Sequence, residues 1–219
     1  MALLIQPKHH SSFNRVLRDC FRLRREVFIE RPGWSLPHAK AVAERGLEVD
    51  EFDNRAAIYL ARLGDDGRLE GTVRFTPSTE PNMSCDVLGP YMGIEMPRGP
   101  SIVEISRVCA DPSLTKDERR AVMLDMRACV GALFLRYGWT HGIGVGHDHH
   151  IQPRIRAGLK VEMLGPPVIF PGDRDPSFAA LTSDPEMRLA AVMAGRPGCL
   201  QDPDEDPSLI ARYGERAVA

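Results

Sequence analysis

Four charged side chains stand where their neighbours require a hydrophobic interior, and this constrains the chain more than any other feature of its sequence. Leu69 to Thr76 reads as a strand with Gly71, Val73 and Phe75 on one face and Arg74 on the other. Ser101 to Cys109 reads as a strand apolar on both faces, as a central strand covered on two sides would be. Yet it carries Glu104 on the face of Ile102 and Val108, and Arg107 on the face of Val103, Ile105 and Cys109. Arg24 lies on the apolar stripe of a helix expected over Ser12 to Glu30, built by Phe13, Val16, Leu17, Cys20, Phe21 and Phe28 at three- and four-residue spacings. A lone buried charge is too costly to persist, so these groups must pair with one another or with a ligand. The segment GLEVDEFDN supplies Glu48, Asp50 and Asp53 just before the first expected strand. A cluster of Arg24, Arg74, Arg107, Glu104, Asp50 and Asp53 would neutralise itself and leave polar groups aimed at a small zwitterionic ligand. The competing reading is an ion-pair network that only fixes the packing.

The remaining pattern alternates strands and helices. Ala56 to Leu63 is joined through Gly64-Asp65-Asp66-Gly67 to Leu69 to Thr76 as a hairpin. Pro32-Gly33 stops the first helix, and Trp34 to Leu47 reads as irregular or partly helical. Pro77 to Pro100 reads as a long surface connection. Thr115 and Glu118 make a capping box, and Val122, Met126, Cys129, Val130, Leu133, Phe134 and Tyr137 carry a helical stripe to Gly138. A Gly-interrupted strand follows at His141 to His147, then a helix at Gln152 to Leu159 and a strand at Pro167 to Phe170. A second capping box, Ser183 with Glu186, precedes a helix ending near Gly195. This order describes an α/β protein, a three-layer α/β/α sandwich around a mixed sheet. Residues 1–196 are expected as one domain and 197–219, beginning near the acidic QDPDEDP, as a loosely held tail.

A formal charge of -2 with Lys and Arg scattered gives no basic stripe, so nucleic acid is not an expected partner. The apolar stretches are shorter than a bilayer needs, and the start MALLIQPKHH lacks the regions of a secretory signal, so a cytoplasmic protein without a membrane partner is expected. Cys20, Cys85, Cys109, Cys129 and Cys199 are widely spaced and never CxxC, which suits reduced thiols rather than disulfides or zinc. His147, Asp148, His149 and His150 are adjacent in sequence, diverge on any regular element, and read as a solvated turn; no metal is expected.

The combination of these residues resembles the LuxI-type acyl-homoserine lactone synthases, the autoinducer synthases of bacterial quorum sensing. The family's Arg four residues before a Phe, followed by a Gly-Trp pair, matches Arg24, Phe28 and Gly33-Trp34. Its spaced acids match Glu48, Asp50 and Asp53 around Phe52, its Gly-x-x-Arg strand Gly71 to Arg74, and its Glu-x-x-Arg strand Glu104 to Arg107. Each motif is weak alone; in this order and spacing the set is specific.

The resemblance implies a fold similar to the GNAT acetyltransferases, with a splayed mixed sheet, although the GNAT Gly-rich phosphate turn is replaced here by ADPSLT. It implies acyl transfer from acyl carrier protein or acyl-CoA to the amine of S-adenosylmethionine, a substrate rather than a cofactor, followed by lactonisation. Glu104 resembles the base, with Arg107, Asp50 and Asp53 beside it in the catalytic set. Arg24, Phe28 and Trp34 would wall the S-adenosylmethionine site, and Arg74 would hold the acids. Backbone N–H groups near Val108 and Cys109 would stabilise the oxyanion. Gly144 and Gly146 take the place of a hydroxyl residue that binds 3-oxo groups in relatives, which argues for a chain without that group and widens the acyl pocket. A monomer or weak homodimer is expected. The alternatives are a GNAT-like N-acyltransferase for a different small amine and a catalytically silent binding module.

Overall fold

The computed structural model describes residues 1–30, 46–156, 159–183 and 200–214. Strand β1 (Ala2–Ile5) leads into helix α1 (Asn14–Arg25), which continues as a π-helical turn over Glu26–Glu30. Strands β2 (Ile58–Leu63) and β3 (Leu69–Pro77) form the expected hairpin. A second π-helical turn, Ser84–Leu88, runs into the short α2 (Gly89–Met92), inside the segment expected as plain connection. Then come β4 (Ile102–Ala110), α3 (Lys116–Tyr137), β5 (His141–His147), α4 (Asp148–Arg156), β6 (Val161–Met163), β7 (Ser177–Ser183), β8 (Leu200–Gln201) and α5 (Ser208–Tyr213). The Thr115–Glu118 capping box starts α3, and Gly138, in the left-handed conformation, ends it.

The strands make one eight-stranded mixed sheet in the order β6-β7-β5-β4-β3-β2-β1-β8, and only β4–β5 and β1–β8 run parallel. Helix α3 packs on one face with Val73, Phe75, Val103 and Met126; α1 packs on the other with Leu3, Ile5, Phe13 and Tyr59. Gly71 permits the first contact: a Cβ there would lie 2.9 Å from Val122 Cγ1 and 3.0 Å from Met126 Sδ.

Two irregularities in β4 position the site. Its pairing with β5 stops after Ile102–Glu104 against His141–Ile143, so the two strands splay beyond that point. Against β3, Thr72 faces Cys109 while Arg74 faces Ser106, a bulge with one extra residue on β4. Arg107 takes up the bulge with φ +54°. The bulge overturns the expected alternation. Arg107 leaves the face of Val103 and Ile105 and joins Glu104 on the α1 side, and Cys109 packs into the α1-side core while Val108 turns to the α3 side.

Other expectations are corrected as well. Between Pro167 and Phe170 only Val168 bridges, to Ser177; the true strand is β7, because Pro167 has no N–H to give a ladder. Helix α4 begins directly at Asp148, not at Gln152. The expected helix after Ser183 and the Gly33-Trp34 pair lie outside the described residues. Residues 200–214, expected as loosely held, are docked: β8 pairs with β1, Leu209 and Tyr213 are buried in the α1-side core, and buried Asp202 pairs with Arg136. The acids of QDPDEDP that suggested solvation find cations instead, since Asp204 also pairs with Lys8 and Glu205 with Arg136. Among the described residues no helix is long and apolar enough to cross a membrane.

Candidate active site

The last turn of α1, the loop before β2, and the strands β3 and β4 converge on one buried network. Arg24 donates from Nη1 and Nη2 to the two carboxylate oxygens of Asp53 at 2.7 and 2.8 Å, and from Nε to Glu48. Arg107 donates from Nε to the other Glu48 oxygen at 3.0 Å and from Nη2 to Asp50 at 2.7 Å. Arg74 donates to Asp50, to Asp53 at 3.0 Å and, through Nε, to the Ser106 hydroxyl at 3.1 Å. The acidic loop closes on itself, the Asp50 N–H donating to Asp53 and the Phe52 N–H to Asp50, and the Tyr59 hydroxyl donates to Asp53 at 2.8 Å. All six charged side chains are buried to within a few per cent. The three expected arginines find carboxylate partners, but Glu48 takes the place in the network expected for Glu104.

Burial alone would raise the carboxyl pKa values of Asp53 and Glu48. The guanidiniums outweigh it, Arg24 and Arg74 at Asp53 and Arg24 and Arg107 at Glu48, and hold both below the ordinary carboxylate range. Carboxyls depressed on folding stabilise the protein fully above the unfolded value, about 4, and lose that contribution as pH falls through the folded value. Urea midpoints should therefore start to fall as pH drops below about 6.5, where the unfolded chain protonates His150 and the folded protein keeps it neutral, and fall more steeply below about pH 4 as the network carboxyls protonate. A midpoint unchanged at pH 3 would contradict the network.

Glu104 stands apart. It is fully buried and makes no ion pair among the described residues. Its Oε1 accepts from the Ser84 N–H at 2.7 Å and its Oε2 from the Ser106 hydroxyl at 3.2 Å. Three guanidiniums thus meet four carboxylates, and the surplus one faces a cavity of about 360 Å³ that opens in the splay.

Of the residues singled out in the sequence, Glu104, Arg107, Phe28, Val108, Gly144 and Gly146 line this cavity. Arg24, Arg74, Asp50 and Asp53 form the charged layer behind it. Phe28 is not an open aromatic wall, since Arg107 Cζ lies 5.7 Å from its ring centroid. Trp34 lies outside the described residues. The Cys109 side chain is not brought to the cavity: the bulge turns it into the α1-side core, where burial pushes its thiol pKa up.

The two glycines differ. A Cβ on Gly144 would lie 2.9 Å from the Ile105 carbonyl oxygen, whereas one on Gly146 would meet only the His150 side chain at ordinary contact, Cβ at 3.6 Å and Cδ2 at 3.9 Å. Gly144→Ala should cost about 1–3 kcal/mol by denaturation, with Gly146→Ala close to neutral. Equal effects would refute the distinction.

Sequence reasoning missed Ser84 and Ser106, which hold Glu104; Ser106 was findable, two residues from Glu104 on the same strand face. It also placed His149 and His150 in a solvated turn, whereas both line the cavity, and burial followed by neighbouring positive charge pushes the His150 pKa down to about 4. Among the described residues no three His, Cys, Asp or Glu side chains converge as a metal site.

A mixed sheet splayed between two parallel central strands, with helices on both faces, is a GNAT-like fold, and a structure described as a putative N-acetyltransferase from Lactobacillus plantarum shares it with a TM-score of 0.50 at 15% identity, covering 84% of this chain and 97% of that one. Within that class, residues 8–149 match the family described as autoinducer synthase, and the chain belongs to it. An acyl-homoserine-lactone synthase of Ralstonia nicotianae is 33% identical over 148 residues, covering 65% of this chain and 71% of that protein. One from Agrobacterium fabrum is 31% identical over 170 residues, covering 75% and 78%. The CoA-dependent acyl-homoserine lactone synthase BjaI, solved with MTA, superposes with a TM-score of 0.78 at 25% identity, covering 97% of this chain and 98% of that one.

Proposed function

We infer that this protein is an acyl-homoserine lactone synthase that acylates the amine of S-adenosylmethionine from a thioester and then closes the lactone. The observation that carries this is Glu104, a buried carboxylate without a cationic partner on the wall of the splay cavity. The charged layer has one negative charge in excess, and S-adenosylmethionine in its usual ionic form carries one net positive charge. Glu104 removes the ammonium proton, directly or through a water. The freed amine attacks the thioester carbonyl, the C–N bond forms, the C–S bond breaks, and the thiol leaves with a proton. The carboxylate of the acylated product then attacks its own γ-carbon, the C–S bond to the sulfonium breaks, and neutral methylthioadenosine departs.

Beyond Glu104, no strand among the described residues pairs with β4 on its β5 side, and its N–H groups near Val108 are our candidates for the oxyanion donors. Arg24, Arg74 and Arg107 hold Asp50, Asp53 and Glu48 in place as counter-charges to the substrate. Gly144 and Gly146 leave room for the acyl path. No cofactor is required, because S-adenosylmethionine is consumed. The donor is an acyl thioester of coenzyme A or acyl carrier protein; the CoA dependence in the name of BjaI supports coenzyme A. Both substrates are cytoplasmic metabolites, which supports that location.

The test is mass spectrometry of organic extracts from cells expressing the chain, fed with fatty and aryl acids, searching for the lactone-ring fragment. Its appearance supports the reading and identifies the acyl group. Its absence with every acid would move the activity to another acceptor amine.

A further inference from the structure

Between β3 and β4, in the segment expected as plain surface connection, the chain buries an asparagine completely. Both ends of the Asn82 amide are used: Nδ2 donates to the Glu80 carbonyl at 2.9 Å, and Oδ1 accepts from the Cys85 N–H at 2.9 Å. Its main chain is used as well. The Asn82 N–H donates to Asp86 Oδ2 at 2.7 Å, and the Asp86 N–H donates back to the Asn82 carbonyl at 3.0 Å. Asn82 and Asp86 thus clasp the start of the π-helical turn Ser84–Leu88 from both directions, as the two members of a capping box do. The clasp is anchored outside the turn. Arg98 donates to the second Asp86 oxygen at 2.5 Å and to the Ser78 carbonyl at 2.9 Å, and the Ser78 hydroxyl exchanges hydrogen bonds with Gly99. At the far end the Gly89 N–H donates to the Ser84 carbonyl. Glycine permits that approach, since a Cβ there would lie 3.0 Å from the same oxygen and 2.8 Å from the Ile94 carbonyl.

One donor of the turn is left for a partner far along the chain. The Cys85 and Asp86 N–H groups bond to Asn82, whereas the Ser84 N–H crosses to Glu104 Oε1 at 2.7 Å. With the Ser106 hydroxyl on Oε2, this fixes Glu104 at both oxygens, and the lone pairs that remain point one way. Without the Ser84 bond the carboxylate is free to pivot about Ser106. Proton transfer and attack depend steeply on such placement. The turn has two sides: Met83, Ser84 and Leu88 line the splay cavity, while the Asp86 and Arg98 side chains are 40% and 39% exposed. A surface ion pair and the base are therefore separated by a single turn of chain.

We propose that Asn82 is a positioning residue for acyl transfer: it sets the turn that aims the Ser84 N–H at Glu104, and with it the direction in which Glu104 faces the amine. The inference rests on Glu104 as the base, and one of its readouts needs no turnover. Asn82→Ala removes the oxygen that holds the Cys85 N–H. It should lower kcat by about ten- to a hundredfold and leave KM for S-adenosylmethionine within about twofold, because alignment is lost and substrate contacts are kept. Asn82→Ser returns an acceptor oxygen and should recover most of the rate. Asp86→Ala opens the clasp from its exposed side and should act in the same direction, less strongly. In a Glu104→Gln background, Asn82→Ala and Asp86→Ala should each change turnover by less than about twofold, since the group they aim is gone. In the amide NMR spectrum of the full chain, the Ser84 proton should lie downfield, as a donor to a carboxylate does, and both Glu104→Gln and Asn82→Ala should move it upfield.

An Asn82→Ala variant that lowers turnover equally with and without the Glu104 carboxylate would make Asn82 a staple of the loop and overturn the proposal. So would a KM raised as much as kcat falls, or a Ser84 resonance that stays in place. If Asn82→Ala does not fold, Asp86→Ala carries the same three tests. Absence of lactone from the wild type, with the Ser84 resonance still answering to Asn82 and Glu104, would defeat the lactone reading and leave the positioning of Glu104 standing.

Discussion

Glu104→Gln lowers turnover by about 10²–10⁴-fold, the range for loss of a positioned general base, while leaving the melting temperature within a few degrees. The amide has the carboxylate's shape, and its oxygen still accepts from the Ser84 N–H. The Ser106 hydroxyl, which now donates to Glu104, can rotate to accept from the amide. What is lost is the lone pair that takes the ammonium proton, together with the surplus negative charge facing the cavity. Lactone yield from purified enzyme, followed by mass spectrometry alongside thermal melts, separates the outcomes. A variant keeping half the wild-type rate would remove Glu104 from proton transfer, and one that melts far lower would make it a structural acid.

The second large effect is on stability. Asp53→Ala should cost about 3–5 kcal/mol in urea denaturation, the penalty for stranding buried charges. Arg24 Nη1 loses its acceptor and Nη2 is left with Glu48 alone, while Arg74 loses one contact and the Tyr59 hydroxyl its acceptor. Against a typical total of about 5–15 kcal/mol this brings the protein near unfolding. Asp53→Asn keeps an acceptor in the same place and should fall between wild type and alanine. A loss below about 1 kcal/mol for the alanine variant would mean that water compensates the arginines and the network is not dry.

The charged layer was legible in the sequence because desolvation permits few arrangements: charges on apolar elements must meet, and the acids were close at hand. Helix α3 was legible for a local reason, its cap and long stripe. What stayed hidden depended on non-local geometry. Strand β1 is four residues, all buried, too short for either period to show. Strands β7 and β8 and helix α5 owe their conformation to partners far along the chain. The bulge at Arg107 is a backbone event with no composition signal, and one extra residue sufficed to exchange the faces assigned to Arg107, Val108 and Cys109.

Arg107 also ties electrostatics to alignment. A side chain at positive φ sits in a state costing about 1–3 kcal/mol unless its surroundings impose it. Here the tether is its own guanidinium, fastened to Glu48 and Asp50. Those two acids therefore act as tensioners for the strand. Slackening either would let β4 straighten and swing the backbone at Val108 relative to the cavity, so two acids that do not line that cavity set the shape of its wall.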